Sequence, residues 1–184
     1  MEADLVIRAQ RGDKEAYSLL AAGIADRFLA VARRILRDYD LAEDAAHQAL
    51  LLVWQDLPGL RDPDRFESWS YRLLVRACYA EGRKQRHWAP NLRLLPAANP
   101  DPAATDDLSS VVDRDELERG FRRLSLEHRA VVVLYHYLDM PLDRIAYVLG
   151  IPVGTAHSRL HHAMRGLRAA IEADARPTVR EVAR

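Results

Sequence analysis

The chain alternates apolar and polar positions with a spacing of three and four residues almost throughout, which is the period of a helix with one buried face. Asp13, after Gly12, is placed to cap a helix in which Leu19, Leu20, Ile24, Phe28, Val31 and Ile35 form the apolar stripe. A second helix is predicted from near Leu41 to about Leu57, where Pro58-Gly59 stops it. A third starts near Arg65 and carries Phe66, Trp69, Leu73 and Ala77 on one side. Beyond residue 112 the pattern predicts four more helices: Asp115 to Leu124, Leu126 to Leu138, Leu142 to Gly150 and Pro152 to Ala173. No run reads as a strand.

Between these blocks the period is lost. The stretch around Pro90, Pro96, Pro100 and Pro102, with its Asn, Asp, Thr and Ser, reads as a linker. The predicted fold is therefore all-α: two small helical domains, 1–88 and 113–184, joined by a flexible linker over 89–112.

The stretch "RIAYVLGIPVGTAHSRLHHAM" carries the clearest local signal. Leu142, Ile145, Ala146 and Leu149 make one stripe, Gly150 suits the left-handed residue that ends a helix, and Pro152 suits the first turn of the next. This predicts a helix-turn-helix. In its second helix Val153, Ala156, Leu160, Met164 and Leu167 fall on the buried side. Thr155, Ser158, Arg159, His162 and Arg165 then point outward, with His157 and His161 on the flank. Such a face fits the DNA major groove, where Arg, Ser, Thr and His meet base edges and phosphates.

Charge sharpens this picture. The 184 residues have a formal net charge of zero, yet the charges are segregated. From Tyr71 to Arg93 the bases Arg72, Arg76, Arg83, Lys84, Arg86 and Arg93 are offset only by Glu81, whereas the segment from Asn99 to Glu118 is acidic apart from Arg114. The single cysteine, Cys78, excludes an internal disulfide framework and a thiolate metal cluster. With no apolar run long enough to span a bilayer and no leader pattern at Met1, the expected location is the cytoplasm. The seven histidines show no HExxH spacing and no Gly-rich phosphate loop is present. His157 and His161, four apart, have no carboxylate or thiolate companion nearby in the sequence. No catalytic residue, cofactor or metal is therefore assigned, and the chain is not expected to be an enzyme.

Together, "RGDKEAY", "DLAEDAAHQALLLVW", "FESWSYRLLVRA", "RRLSLEHRAVVVLYHYLDMPLDRIA" and "LGIPVGTAHSRLHHAMRGLR", in this order, resemble the extracytoplasmic function group of bacterial RNA polymerase sigma factors over nearly the whole chain. The resemblance implies an N-terminal domain that docks on the polymerase and opens the minus-ten element, and a C-terminal domain that reads the minus-thirty-five element. It implies docking on the beta-prime clamp through Glu43, Asp44, His47, Gln48 and Leu52, and a further contact with the beta flap. In the loop from Leu57 to Arg65, which corresponds to the family's capture site for a flipped minus-ten base, it singles out Arg61, Asp62, Asp64 and Arg65. Arg72, Arg76, Arg83 and Lys84 are assigned to the backbone and upstream edge of the same element, and Thr155, His157, Ser158, Arg159, His161, His162 and Arg165 to the minus-thirty-five element. An anti-sigma factor is the expected regulator. The chain departs from the family pattern at Ala49, Arg76, Ala80, Arg144 and His157. The alternative reading is an autonomous helix-turn-helix regulator that does not dock on polymerase.

Overall fold

The computed structural model describes residues 2–88 and 118–174, so the expected linker 89–112 lies outside the described residues. The described residues form eight helices and no strand: α1 (Glu2–Gln10), α2 (Lys14–Leu36), α3 (Tyr39–Asp56), α4 (Phe66–Trp88), α5 (118–123), α6 (Leu126–His136), α7 (Leu142–Leu149) and α8 (Val153–Asp174). Two single 3-10 turns, Leu57–Gly59 and Pro63–Arg65, lie between α3 and α4. Among the described residues no helix is long and apolar enough to cross a membrane.

Local chemistry sets the ends of these helices. Asp13 caps α2 as its position predicts, its carboxylate accepting from Glu15 N and Ala16 N at 3.0 Å while Arg8 pairs with it at 2.7 Å. Asp38 caps α3 through Leu41 N at 3.0 Å, and Ser125 caps α6 through His128 N at 3.3 Å. The α2 stripe buries Leu20, Phe28, Val31 and Ile35 against α3 and α4, and Phe28 meets the Tyr71 ring at 5.6 Å. Alpha3 turns inward Ala42, Ala45, Ala46 and Ala49, all buried, with Val53 below them. In the C-terminal half α6, α7 and α8 enclose Ala130, Val131, Leu134, Ile145, Ala156 and Ala163.

One element and one side chain differ from the sequence reading. Alpha1 is an element that the stripe starting at Asp13 did not predict; it is short, and it gains its stability by burying Val6 and Ala9 against its neighbours. Leu19, counted into the α2 stripe, is 54% exposed, because the adjacent Leu20 takes the inward position. The buried residues of the two halves form one continuous cluster.

The joint between the halves is built from arginines and small residues. Alpha4 packs on α7, and α2 on α6. Gly82 leaves room for Leu126: a Cβ at that position would lie 2.8 Å from Leu126 Cδ2. Arg129 Nη1 donates to Leu36 O at 3.2 Å, which supplies a cation at the carbonyl end of α2. Arg34 lies over the Tyr137 ring at 3.9 Å, Arg37 pairs with Glu118, and Glu67 sits between Arg27 at 3.5 Å and Arg144 at 3.7 Å. Contacts of the Arg34 type contribute about 0.5–1 kcal/mol each where partly exposed.

Candidate nucleic-acid interface

The helix-turn-helix forms as the sequence pattern requires. Alpha7 ends at Gly150, which adopts φ 66° and ψ 37°, and Gly150 N donates to Ala146 O and Tyr147 O. Ile151 N reaches back to Ala146 O at 3.0 Å, so the last carbonyls of the helix are satisfied within the turn. Pro152 then opens α8, its carbonyl accepting from Thr155 N at 2.9 Å and Ala156 N at 3.0 Å.

Alpha8 buries Ala156, Ala163, Leu167 and Ala170, with Leu160 and Met164 partly buried beside them. His157, Ser158, His161, His162 and Arg165 are exposed on the other side, the two adjacent imidazoles 5.8 Å apart and edge to face. Ser158 Oγ donates to Thr155 O at 3.1 Å. Thr155 and Arg159 are only partly exposed. Arg159 is within electrostatic reach of Tyr79 on α4, whose hydroxyl burial pushes up to about 12 while Arg159 opposes the rise. Val153, expected on the buried side, is 51% exposed: it stands in the first turn of α8, before the helix settles onto α7.

Four basic residues of α4 occupy three different environments. Arg76 and Arg83 are exposed and free of ion-pair partners among the described residues. Lys84 pairs with the buried Glu81 at 2.6 Å. Arg72 is partly buried in the joint, its guanidinium 5.3 Å from the centre of the Tyr147 ring and its Nη1 3.5 Å from Tyr147 O near the carbonyl end of α7. The DNA-facing assignment of Arg72 thus falls on a side chain that already has a partner in the other half.

On α3, Glu43, Asp44, His47 and Gln48 are exposed, and Leu52 is partly buried. The structure brings two of the assigned sets together: Gln48 and Leu52 from α3 and Arg76, Arg83 and Lys84 from α4 share a groove of ≈ 390 Å³ with Tyr79 and Glu81. Sequence reasoning overlooked Leu51 and Trp54, which are 43% and 40% exposed on the outer side of the same helix; Trp54 leans on Tyr17, ring centroids 4.5 Å apart. Their apolar character pointed to the core, and only the geometry shows that Ala49 and Val53 fill that role. Ala49, one of the departures from the family pattern, is fully buried, where a carboxylate would lose its hydration.

The loop from Leu57 to Arg65 is internally braced. Asp62 accepts from Asp64 N at 3.1 Å and pairs with Arg65 at 3.3 Å, so these two side chains shape the loop. Arg61 is exposed, with no ion-pair partner among the described residues. Gln10, at the end of α1, donates from Nε2 to Leu57 O at 3.1 Å and Leu60 O at 2.6 Å. No sequence signal marked Gln10, since its partners lie about fifty residues away. Among the described residues no three His, Cys, Asp or Glu side chains are grouped to hold a metal ion.

Comparisons with known proteins agree with this layout. Residues 22–87 match the family Sigma-70 region 2, and residues 114–167 match Sigma-70, region 4. The chain is 30% identical over 166 residues to the ECF RNA polymerase sigma factor SigL of Mycobacterium tuberculosis, covering 88% of this chain and 94% of that one. It is 29% identical over 187 residues to the RNA polymerase sigma-H factor of Pseudomonas aeruginosa, covering 96% and 95%. Among solved structures, CnrH in complex with the cytosolic domain of CnrY superposes with a TM-score of 0.69 at 21% identity, over 95% of this chain and 99% of that one. The sigma factor RpoE of Bartonella quintana, in complex with the anti-sigma factor NepR, gives 0.67 at 19%, over 86% and 98%.

Proposed function

The chain belongs to the extracytoplasmic function group of RNA polymerase sigma factors and directs the polymerase to promoters; from that membership we propose how its surfaces divide the work. Residues 1–88 form the unit that docks on core polymerase and handles the minus-ten element, 113–184 form the unit that reads the minus-thirty-five element, and 89–112 link them. In this reading His157, Ser158, His161, His162 and Arg165 enter the major groove, with Thr155 and Arg159 at its edge. The observation that carries it is the exposed polar face of α8, set by the Gly150 turn on a helix whose opposite face is buried. Arg76, Arg83 and Lys84 border the single-stranded minus-ten segment, where cations along a groove track phosphates. Glu43, Asp44, His47 and Gln48 meet the clamp of the beta-prime subunit, and Leu51 and Trp54 add apolar area to that contact.

The chain works without catalysing a reaction of its own, and it acts inside the cell on the polymerase. Because the sigma factor RpoE of Bartonella quintana, which shares this fold, is solved in complex with an anti-sigma factor, an anti-sigma protein is the regulator in this reading.

The test is run-off transcription by purified core polymerase from a promoter library randomised over both elements, with and without the chain. Transcripts that depend on the chain, and that fall when Asp44→Arg is combined with Gln48→Ala at unchanged helix content, support docking. A chain that binds DNA but leaves transcription and core association untouched would favour an autonomous regulator.

A further inference from the structure

We propose that Gln10 is a positioning residue for minus-ten recognition, acting through the loop from Leu57 to Arg65; this rests on the reading of that loop as the minus-ten contact. Gln10 stands at the C-terminal end of α1 and its single amide nitrogen donates to two carbonyls of the loop, Leu57 O at 3.1 Å and Leu60 O at 2.6 Å. Leu57 O also accepts Leu60 N at 3.1 Å, so both of its lone-pair directions are used and the first 3-10 turn is closed from two sides. Alpha1 is itself fixed, with Val6 and Ala9 buried, and it packs against both 3-10 turns. Its amide is therefore a rigid donor.

The far end of the loop has its own brace. Asp62 caps the second turn through Asp64 N and holds Arg65. Leu57, 1% exposed, anchors the near end. Between these fixed points Arg61 is the side chain left facing solvent with no ion-pair partner among the described residues. Gln10 and Asp62 thus build a loop that is shaped before DNA arrives, and Arg61 is the group it presents. Without the Gln10 bonds the segment from Leu57 to Leu60 samples more conformations, and ordering it again is charged to the binding step. The loss is expected at the minus-ten contact, because the hydrogen bonds of the Gln10 side chain go to the loop and to no residue assigned to docking or to the minus-thirty-five element.

The experiment uses the full chain with core polymerase and the doubly randomised promoter library, with sequencing of the transcribed templates. Gln10→Leu keeps the volume and removes the donor; Gln10→Lys returns a donor of similar reach. For Gln10→Leu, enrichment of the preferred minus-ten bases is expected to fall about tenfold, the equivalent of one to two lost hydrogen bonds. Enrichment at minus thirty-five and core affinity should stay at wild-type values, and Gln10→Lys should recover most of the minus-ten enrichment. A merely structural role would lower both elements together and would show no rescue, which overturns the proposal. Arg61→Ala separates the two levels. If it weakens minus-ten enrichment while Gln10→Leu does not, the loop reading stands and the positioning role falls; if neither does, the loop is not the minus-ten contact and both fall. Should Gln10→Leu fold poorly, chemical-shift mapping of loop amides in Gln10→Asn, whose shorter side chain cannot reach both carbonyls, gives the same decision: unshifted amides at Leu60, which donates to Leu57 O, and at Arg61, which follows the Leu60 carbonyl, overturn the brace.

Discussion

Two glycines in this chain should respond to the same substitution with opposite signs. Gly150 has φ 66° and ψ 37°, a region that costs an L-residue about 1–2 kcal/mol. A Cβ there would find Arg72 Nη2 at 3.8 Å as its nearest atom, an ordinary contact, so the cost is backbone strain without a clash. Part of it is offset because alanine restricts the unfolded chain, by about 0.4–1 kcal/mol. Gly150→Ala should thus destabilise by about 1 kcal/mol. Gly23 lies in the middle of α2, exposed, with nothing within 4 Å of the position of a Cβ, and there alanine should stabilise by about 0.8–1 kcal/mol through helix propensity. For a chain of this size 1 kcal/mol moves the melting temperature by about 2–4 °C, so the two variants should melt about 4–8 °C apart on either side of wild type. Far-UV circular dichroism melts, with urea titrations of unchanged slope, make the comparison. Gly150→Asn should lie between wild type and Gly150→Ala, since asparagine tolerates the left-handed region. If Gly150→Ala melts at or above the wild-type temperature, the turn does not hold a left-handed residue and the placement of α8 against α7 is wrong.

Other measurements probe the joint, the groove-facing helix and the core. Gly82→Leu should drive a side chain into Leu126 and separate the halves, raising the radius of gyration by small-angle scattering while helix content holds; an unchanged radius would show that the halves are not joined at this contact. Arg165→Gln should weaken DNA binding at all sequences alike and lower the slope of log affinity against log salt by roughly 0.9, the amount expected for one phosphate contact; an unaltered slope would take Arg165 off the backbone. Cys78 is fully buried, and burial pushes its thiol up to about 12, so at pH 8 the native protein should resist a thiol-specific reagent and react once denatured. Immediate reaction in the native state would contradict the packing of α4.

Much of this architecture was legible because single residues with strong local preferences sit at the decisive places. Asp13, Gly150 and Pro152 announce helix ends whatever surrounds them, and the turn of the helix-turn-helix follows from the last two. The misjudged positions were those that depend on distant partners. Leu19 and Val153 fit their stripes by spacing, yet Leu20 takes the inward position beside Leu19, and Val153 stands in the first turn of α8. The joint between the halves is made by pairs such as Arg72 with Tyr147 and Arg129 with Leu36, 75 and 93 residues apart, and an exposed arginine looks the same in sequence as one that caps a remote helix. The assigned surface of α3 was legible as acids and amides, but its apolar part, Leu51 and Trp54, was hidden by the assumption that large apolar residues face inward.

The alanines on the inner side of α3 have a consequence for its outer side. Ala42, Ala45, Ala46 and Ala49 freeze no side-chain rotamers on folding and bring only methyl groups of their own to the contact with the neighbouring helices. A helix seated on methyl groups has no rotamer change with which to absorb a larger neighbour, so a substitution such as Ala45→Ile would translate the whole backbone of α3. Glu43, Asp44, His47, Gln48 and Trp54 would be carried outward with it as one body. The spacing of that outer face from the rest of the molecule is therefore fixed by residues no partner ever touches, and sequence changes among them would act on assembly as spacers, thickening or thinning the shelf on which the charged side chains stand.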